Sequence, residues 1–188
     1  MKSKKCKVCK CLFHTLMPLA QVCSMSCAIE KAKRDREKRE EKACRIARVE
    51  LRVAKQKAKT RGQWMKEAQA AFNSFVRERD YVEPCISCSR YHTGQYHAGH
   101  YMPTSTRPSL RFDERNVHKQ CSACNNHLHG NLALYRVALV KMFGADFIEW
   151  LEGQHEPAKY TIEQLKEIKK TYNQKARELK RKREITCQ

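Results

Sequence analysis

Four cysteines set in two pairs, Cys85-Ile-Ser-Cys88 and Cys121-Ser-Ala-Cys124, constrain this chain more than any other feature. Two Cys-x-x-Cys pairs are the usual way to hold one tetrahedral zinc, and an ion so held ties the intervening segment into a closed loop. Within that loop lie His97-Ala-Gly-His100-Tyr101 and Asn116, and Asn125 and His129 follow the last cysteine. A second set, Cys6-Lys-Val-Cys9 and Cys23-Ser-Met-Ser-Cys27, occupies residues 1–27. It reads as a small zinc ribbon or treble-clef-like knuckle, with Cys27 on the first turn of the next helix. Cys11 or His14 could replace one of its ligands. A head this short buries almost no core, so zinc would supply its folding free energy.

Eight of the eleven cysteines fall in these pairs, leaving Cys11, Cys44 and Cys187 without an assigned role. The basic N-terminus lacks the apolar stretch of a signal peptide, so two structural zinc ions in a reducing cytoplasm explain the thiols better than disulfides do. No apolar run approaches 20 residues, so no membrane span is expected.

Charge points to the partner. The chain of 188 residues carries 39 Lys and Arg against 20 Asp and Glu, a formal +19. An excess of that size says little about fold and favours nucleic acid or another anionic surface. Between Ala28 and Gly62 there are 14 basic and 6 acidic residues. Residues 28–80 contain no proline over 28–79 and are rich in helix formers, which predicts a long basic helix, with Gly62 as a candidate break. A heptad-like stripe runs through Ala47, Leu51, Ala54, Ala58, Arg61, Met65, Ala68, Phe72 and Phe75. Two readings stand side by side. The helix is a solvated one supported by pairs such as Glu30–Arg34, or it is an arm along a phosphate backbone, paired with its copy in a homodimer.

Residues 81–153 are expected to hold a strand at Tyr96–Tyr101, an irregular loop from Met102 to Arg115 and a returning strand near Asn116–Gln120. A helix from Asn125 to about Phe143 should stop at Gly144, with a short helix following at Ala145–Leu151. Residues 154–188 read as a C-terminal helix. Thr161 is its N-cap with Gln164 three residues on, and Ile162, Leu165, Ile168, Tyr172, Ala176 and Leu179 form its apolar stripe. It ends in the basic run Lys175–Arg183, a further candidate phosphate contact.

The residues inside the second cysteine set suit phosphodiester hydrolysis. That reaction needs a base to deprotonate water, a cation to stabilise developing charge, and a group that fixes the base in the right tautomer. His100 is the candidate base, since imidazole titrates near working pH. Asn116 could accept from one nitrogen of His100, through its side-chain or backbone carbonyl, and so aim the other at water. Asn125 and His129, four apart at a helix start, could jointly hold one Mg²⁺ or Mn²⁺.

These residues resemble the HNH endonucleases of the ββα-metal fold, in the run Asn116-x4-Cys121-x2-Cys124-Asn125 preceded by Cys85-x2-Cys88 and a Gly-His. Together with the cysteine-rich head, the basic helix and Tyr96-His-Ala-Gly-His-Tyr101, the chain resembles over nearly its full length the phage recombination protein family called NinG or Rap. The resemblance implies a mainly α protein with small zinc-bound modules: an N-terminal zinc ribbon or knuckle, a long basic helix, an HNH-like ββα-metal module and a C-terminal helix. It also implies metal-dependent, structure-specific cleavage of branched DNA such as D-loops and Holliday junctions, in the host cytoplasm or nucleoid. One position departs from the pattern. Many HNH sites carry Asp or His as a metal ligand directly before the base, and here that residue is Gly99. The ion is then left to Asn125, His129 and water, or to these with His97.

A rival reading is a non-catalytic zinc-containing protein that binds DNA or RNA. It accounts for the charge and the cysteines but not for the spacing of His100, Asn116, Asn125 and His129. A coiled-coil scaffold leaves the whole Cys85–His129 segment unexplained.

Overall fold

A computed structural model describes residues 2–186. It divides into two compact units, Met1–Lys59 and Thr60–Gln188. Among the described residues, no helix is long and apolar enough to cross a membrane.

The first unit is a hairpin followed by one helix. Strands β1 (Lys2–Lys5) and β2 (Leu12–Thr15) pair antiparallel, with Lys4 opposite Phe13. The turn between them is closed by Cys6 N–H to the Cys11 carbonyl at 2.9 Å, and Lys10 takes the left-handed conformation there, with φ of 66°. Helix α1 (Met25–Lys57) starts at Ser24, whose hydroxyl accepts from Cys27 N–H at 3.3 Å, so the cap also fixes a cysteine in the first turn. No residue of α1 is buried. Its support is local: Arg34 pairs with Glu30 at 2.6 Å and Arg36 with Glu40 at 3.8 Å, one turn apart. Exposed pairs of this kind contribute about 0.3–0.5 kcal/mol each, so helix propensity does most of the holding.

The predicted long helix is in fact two, and Gly62 is not the break. The chain leaves helical geometry after Ala58 and restarts at α2 (Arg61–Arg79) behind Thr60. The Thr60 hydroxyl accepts from Gln63 N–H at 3.3 Å while the Gln63 side chain accepts from Thr60 N–H at 2.8 Å. This capping box satisfies two donors at once and sets the start, and Gly62 sits unremarkably in the first turn. The heptad-like stripe divides with it. Ala68, Phe72 and Phe75 are buried, Met65 is partly so, and they pack inside the second unit rather than along a seam.

Their partner is α5 (Ile162–Thr186), capped by the reciprocal pair Thr161 and Gln164. Leu165 is buried against Trp64 and Ala68, and the Tyr172 ring meets Phe72 edge-on with centroids 4.8 Å apart. Edge-on aromatic pairs add about 0.5–1.5 kcal/mol beyond the area they bury.

Between these helices in sequence lies a two-stranded sheet. β3 (Tyr96–His100) and β4 (Val117–Cys121) pair antiparallel, with His97 opposite Gln120, Gly99 opposite His118 and His100 opposite Val117. The connecting loop holds a short 3₁₀ turn, Pro108–Phe112. One sheet face packs on α2 through Val117, Phe72 and Ala98. α3 (Leu132–Phe143) and α4 (Ala145–Glu152) close a second cluster of Tyr101, Leu110, Tyr135, Leu139, Ile148 and Leu151.

The helix expected from Asn125 begins later, at Leu132. After β4 the chain makes one wide turn, Ala123–His127, with Leu128 N–H bonding the Ala123 carbonyl at 3.0 Å. Three successive residues then take positive φ: His129 (48°), Gly130 (89°) and Asn131 (45°). A run of left-handed residues cannot continue a right-handed helix. Asn125 and His129 are therefore not one turn apart on a regular helix.

Candidate functional site

Both cysteine sets converge as their spacing requires. Cys6, Cys9, Cys23 and Cys27 form one cluster and Cys85, Cys88, Cys121 and Cys124 another, with the sulfurs of each within 4.8 Å of one another. Sulfurs on a tetrahedral zinc at 2.3 Å stand about 3.8 Å apart. Here Cys23 and Cys27 are 3.8 Å apart, and Cys88 and Cys121 are 4.0 Å apart. Each tetrad could hold a zinc ion. In the second, burial raises the Cys85 thiol but backbone N–H groups of Cys88, Cys121 and Ser87 bring it below its ordinary value. Burial and the neighbouring sulfurs push Cys124 up to about 12. Four such thiols can ionise together only around a cation. The His92 ring stands with Nε2 3.3 Å from the Cys88 sulfur.

Next to this tetrad is a cleft of about 370 Å³. His100, Asn125 and His129 all line it, so the structure brings three of the four proposed catalytic residues to one place. His100 arrives on the last residue of β3, and Asn125 from the wide turn after Cys124. His129 arrives from the left-handed run, its side chain exposed. Gln69 and Asn73 of α2, Thr104 and Ser105 of the connecting loop, and Arg111 complete the walls.

His100 Nε2 lies 3.0 Å from the Arg111 carbonyl oxygen. A carbonyl only accepts, so Nε2 carries the proton and Nδ1 keeps its lone pair. Burial lowers the His100 pKa below its usual value; the Arg111 carbonyl opposes this in part and the Arg111 charge adds to it. The imidazole is thus a neutral base at neutral pH. The Arg111 guanidinium is itself positioned, donating to Gln69 Oε1 at 3.1 Å.

Asn116 does not do what its spacing suggested. It is fully buried, and its side chain reaches no nitrogen of His100. Oδ1 accepts from Met102 N–H at 2.8 Å, and Nδ2 donates to the carbonyls of Met102 and Leu110, each at 3.1 Å. Its own backbone carbonyl is taken by Tyr101 N–H at 2.9 Å. Asn116 therefore pins the loop that delivers Arg111, and the tautomer-fixing carbonyl belongs to Arg111. His97 stands outside the cleft lining, 3.5 Å from the Asn126 amide. His118 is buried against the Tyr135 hydroxyl at 3.1 Å, and burial, then the Arg79 charge, push its pKa down to about 4. Arg111, Gln69, Asn73, Thr104 and Ser105 carry no motif. The nearest sequence signal was a Pro-, Ser- and Arg-rich loop between two strands.

The glycine before His100 also has a structural reason. A Cβ on Gly99 would lie 1.9 Å from Gln120 Oε1 and 3.1 Å from Asn125 Oδ1. The place that a side chain at position 99 would fill is already taken by the Gln120 amide.

Comparison with known proteins bears on the whole chain. Residues 1–184 match the family described as bacteriophage lambda NinG protein. The protein ninG of Escherichia phage lambda is 40% identical over 193 residues, covering 96% of this chain and 95% of that protein. The protein ninG of Escherichia phage 933W is 40% identical over 191 residues, with the same coverage. That of Salmonella phage P22 is 40% identical over 190 residues, covering 94% of each. No solved structure matches the chain. An end-to-end family match and relatives at this identity place the chain in the NinG family of bacteriophage proteins.

Proposed function

We propose that this protein is a metal-dependent endonuclease of the HNH type that cuts branched DNA, such as D-loops and Holliday junctions. One observation carries the reading: a neutral imidazole, His100, has one nitrogen fixed by the Arg111 carbonyl and opens onto the same cleft as Asn125 and His129. That is the arrangement of a general base beside oxygen and nitrogen donors suited to Mg²⁺ or Mn²⁺. When bound there, such an ion would supply Lewis-acid stabilisation of charge at the scissile phosphate. Asn125 and His129 would hold it. His100 Nδ1 takes the proton of the attacking water, and the Nε2 bond to Arg111 keeps the ring aimed. The Arg111 guanidinium, anchored on Gln69 and lining the cleft, would pair with the phosphate of a bound strand. The β3–β4 hairpin, the cysteine-bound turn and the helix α3 behind it serve as the ββα scaffold, with zinc fixing the turn that bears Asn125.

The formal +19 supports a DNA partner. A second copy, paired along the part of the stripe left on α1 (Ala47, Leu51, Ala54), would supply the second cut that a two-fold-symmetric junction needs. A light-scattering mass of 22.1 kDa, unchanged by added junction, would remove the dimer. The decisive assay uses purified protein on a labelled four-way junction and a matched linear duplex, with and without Mg²⁺ or Mn²⁺. Metal-dependent cutting of the junction is expected. Binding without cutting under every metal condition would leave a zinc-containing nucleic-acid-binding protein in its place.

A further inference from the structure

Gln120 is fully buried on β4, and among the described residues its side-chain oxygen has no hydrogen-bond partner. The orientation of the amide is settled by its other end. Nε2 donates to the Gly130 carbonyl and, at 2.6 Å, to the Ser87 hydroxyl, whose own proton goes to the same carbonyl at 3.2 Å. A carbonyl cannot donate, so the nitrogen must face Gly130 and Oε1 must face the other way. The other way is toward Gly99 and Asn125. Oε1 lies 1.9 Å from where a Cβ of residue 99 would stand, and Asn125 Oδ1 lies 3.1 Å from that same point. A buried acceptor left unpaired is costly and calls for an explanation.

We propose that Gln120 Oε1 is a ligand of the divalent ion, delivered from β4 in place of the side chain that Gly99 lacks. The inference rests on the nuclease reading above and deepens it. Mg²⁺ and Mn²⁺ prefer oxygen donors, and an amide oxygen is a neutral one. Cross-strand partners share a sheet face, so Gln120, His97 and Gly99 lie on one side of the hairpin. A ligand lost from one strand can therefore be replaced from its neighbour without changing the register. The glycine follows from this. Gly99 is not among the positive-φ glycines, so its backbone would accept a side chain. It is the Gln120 amide that excludes one.

The test is Mn²⁺ binding to the zinc-loaded full chain, read by the loss of the free-Mn²⁺ paramagnetic resonance signal, with zinc content and thermal melting as controls. Gln120→Ala should weaken Mn²⁺ at least about tenfold, the lower end of what even indirect support of a ligand is worth. The double variant Gly99→Asp with Gln120→Ala should regain the binding, because the carboxylate then enters the space the amide vacated. Should Gln120→Ala lose zinc, Gln120→Met, which keeps the bulk and removes the oxygen, takes its place. If the glutamine variants keep their zinc and bind Mn²⁺ as the wild type does, while Asn125→Ala weakens it, Gln120 is packing alone and the nuclease reading stands. If the wild type binds no Mn²⁺ that Asn125→Ala affects, the metal-dependent reading fails first, and this ligand with it.

Discussion

His100 Nε2 donates to the main-chain carbonyl of Arg111, 3.0 Å away, and both residues line the cleft. In the proposed mechanism this one hydrogen bond couples two roles, since the residue that fixes the tautomer of His100 also lines the same cleft with its guanidinium side chain. His100→Ala should abolish cleavage while leaving junction affinity nearly unchanged, because the base acts on water only in the transition state. Loss of a general base typically slows a reaction about 10²–10⁴-fold. Mn²⁺ should partly restore Asn125→Ala and His129→Ala but not His100→Ala. A His100→Ala protein that keeps its zinc and cuts at the wild-type rate would overturn the mechanism.

The pH profile follows from the same group. Only the neutral imidazole accepts a proton, and burial lowers its pKa below the ordinary 6.5. The rate should rise with pH through a midpoint below 6.5 and be level by pH 7, in so far as His100 controls it. The measurement is kcat/KM between pH 5 and 8 with zinc content checked at each point. A midpoint above 7 would mean that another group is the base.

Asn116 makes a separate prediction, since it holds the loop and not the ring. Asn116→Ala leaves Met102 N–H and the carbonyls of Met102, half-buried, and Leu110, buried, short of partners. A buried group so stranded costs about 1–3 kcal/mol. The variant should melt several degrees lower and cut slowly, and Asn116→Asp, which keeps the acceptor for Met102 N–H but loses both donors, should also be destabilised. Normal melting with abolished cutting would instead give Asn116 a direct part in the chemistry.

The two cysteine tetrads predict their own failure mode. Cys121 is buried, accepts from Cys124 N–H at 3.4 Å and ends the strand that carries Gln120. Cys121→Ser should drop zinc from two ions per chain to one by elemental analysis and unfold the hairpin with it. Full zinc content in that variant would refute the assignment.

What could be read from sequence was what is local. Cys-x-x-Cys spacing, the Thr161–Gln164 cap and the apolar stripe of α5 are each written within a few residues, and the structure has all three. The same capping motif stands at Thr60 and Gln63, and it outranks Gly62 as punctuation because it satisfies backbone donors where glycine only permits a bend. The half-stripe Met65–Phe75 had the correct period, but period does not name a partner, and α5 lies about a hundred residues away. The partner of His100 was misplaced for a related reason. Asn116 and Arg111 are both in reach of a loop, and only the tertiary path of that loop decides which carbonyl meets the ring. The role of Gly99 was least legible, since it depends on how a glutamine on the neighbouring strand is turned.

The basic end of α5 divides into paired and exposed charges. Lys175 pairs with Glu114 at 2.7 Å, and Arg183 pairs with Glu78 at 2.6 Å and lies over the Tyr81 ring, 3.9 Å from its centre. These two fasten α5 to the unit. Arg177, Lys180 and Arg181 are exposed. If DNA is bound through phosphates, the second group makes the contacts, and each phosphate neutralised contributes about 0.9 to the slope of log affinity against log salt. Changing Arg177, Lys180 and Arg181 together to Gln should flatten that slope by up to about 2–3 without lowering the melting temperature. Arg183→Gln should do the reverse, lowering the melting temperature with little change in slope. The readout is junction affinity by fluorescence anisotropy across a salt series, beside a thermal melt of each variant. An unchanged slope in the triple variant would remove the tail from the DNA interface and leave phosphate binding to the rest of the basic surface.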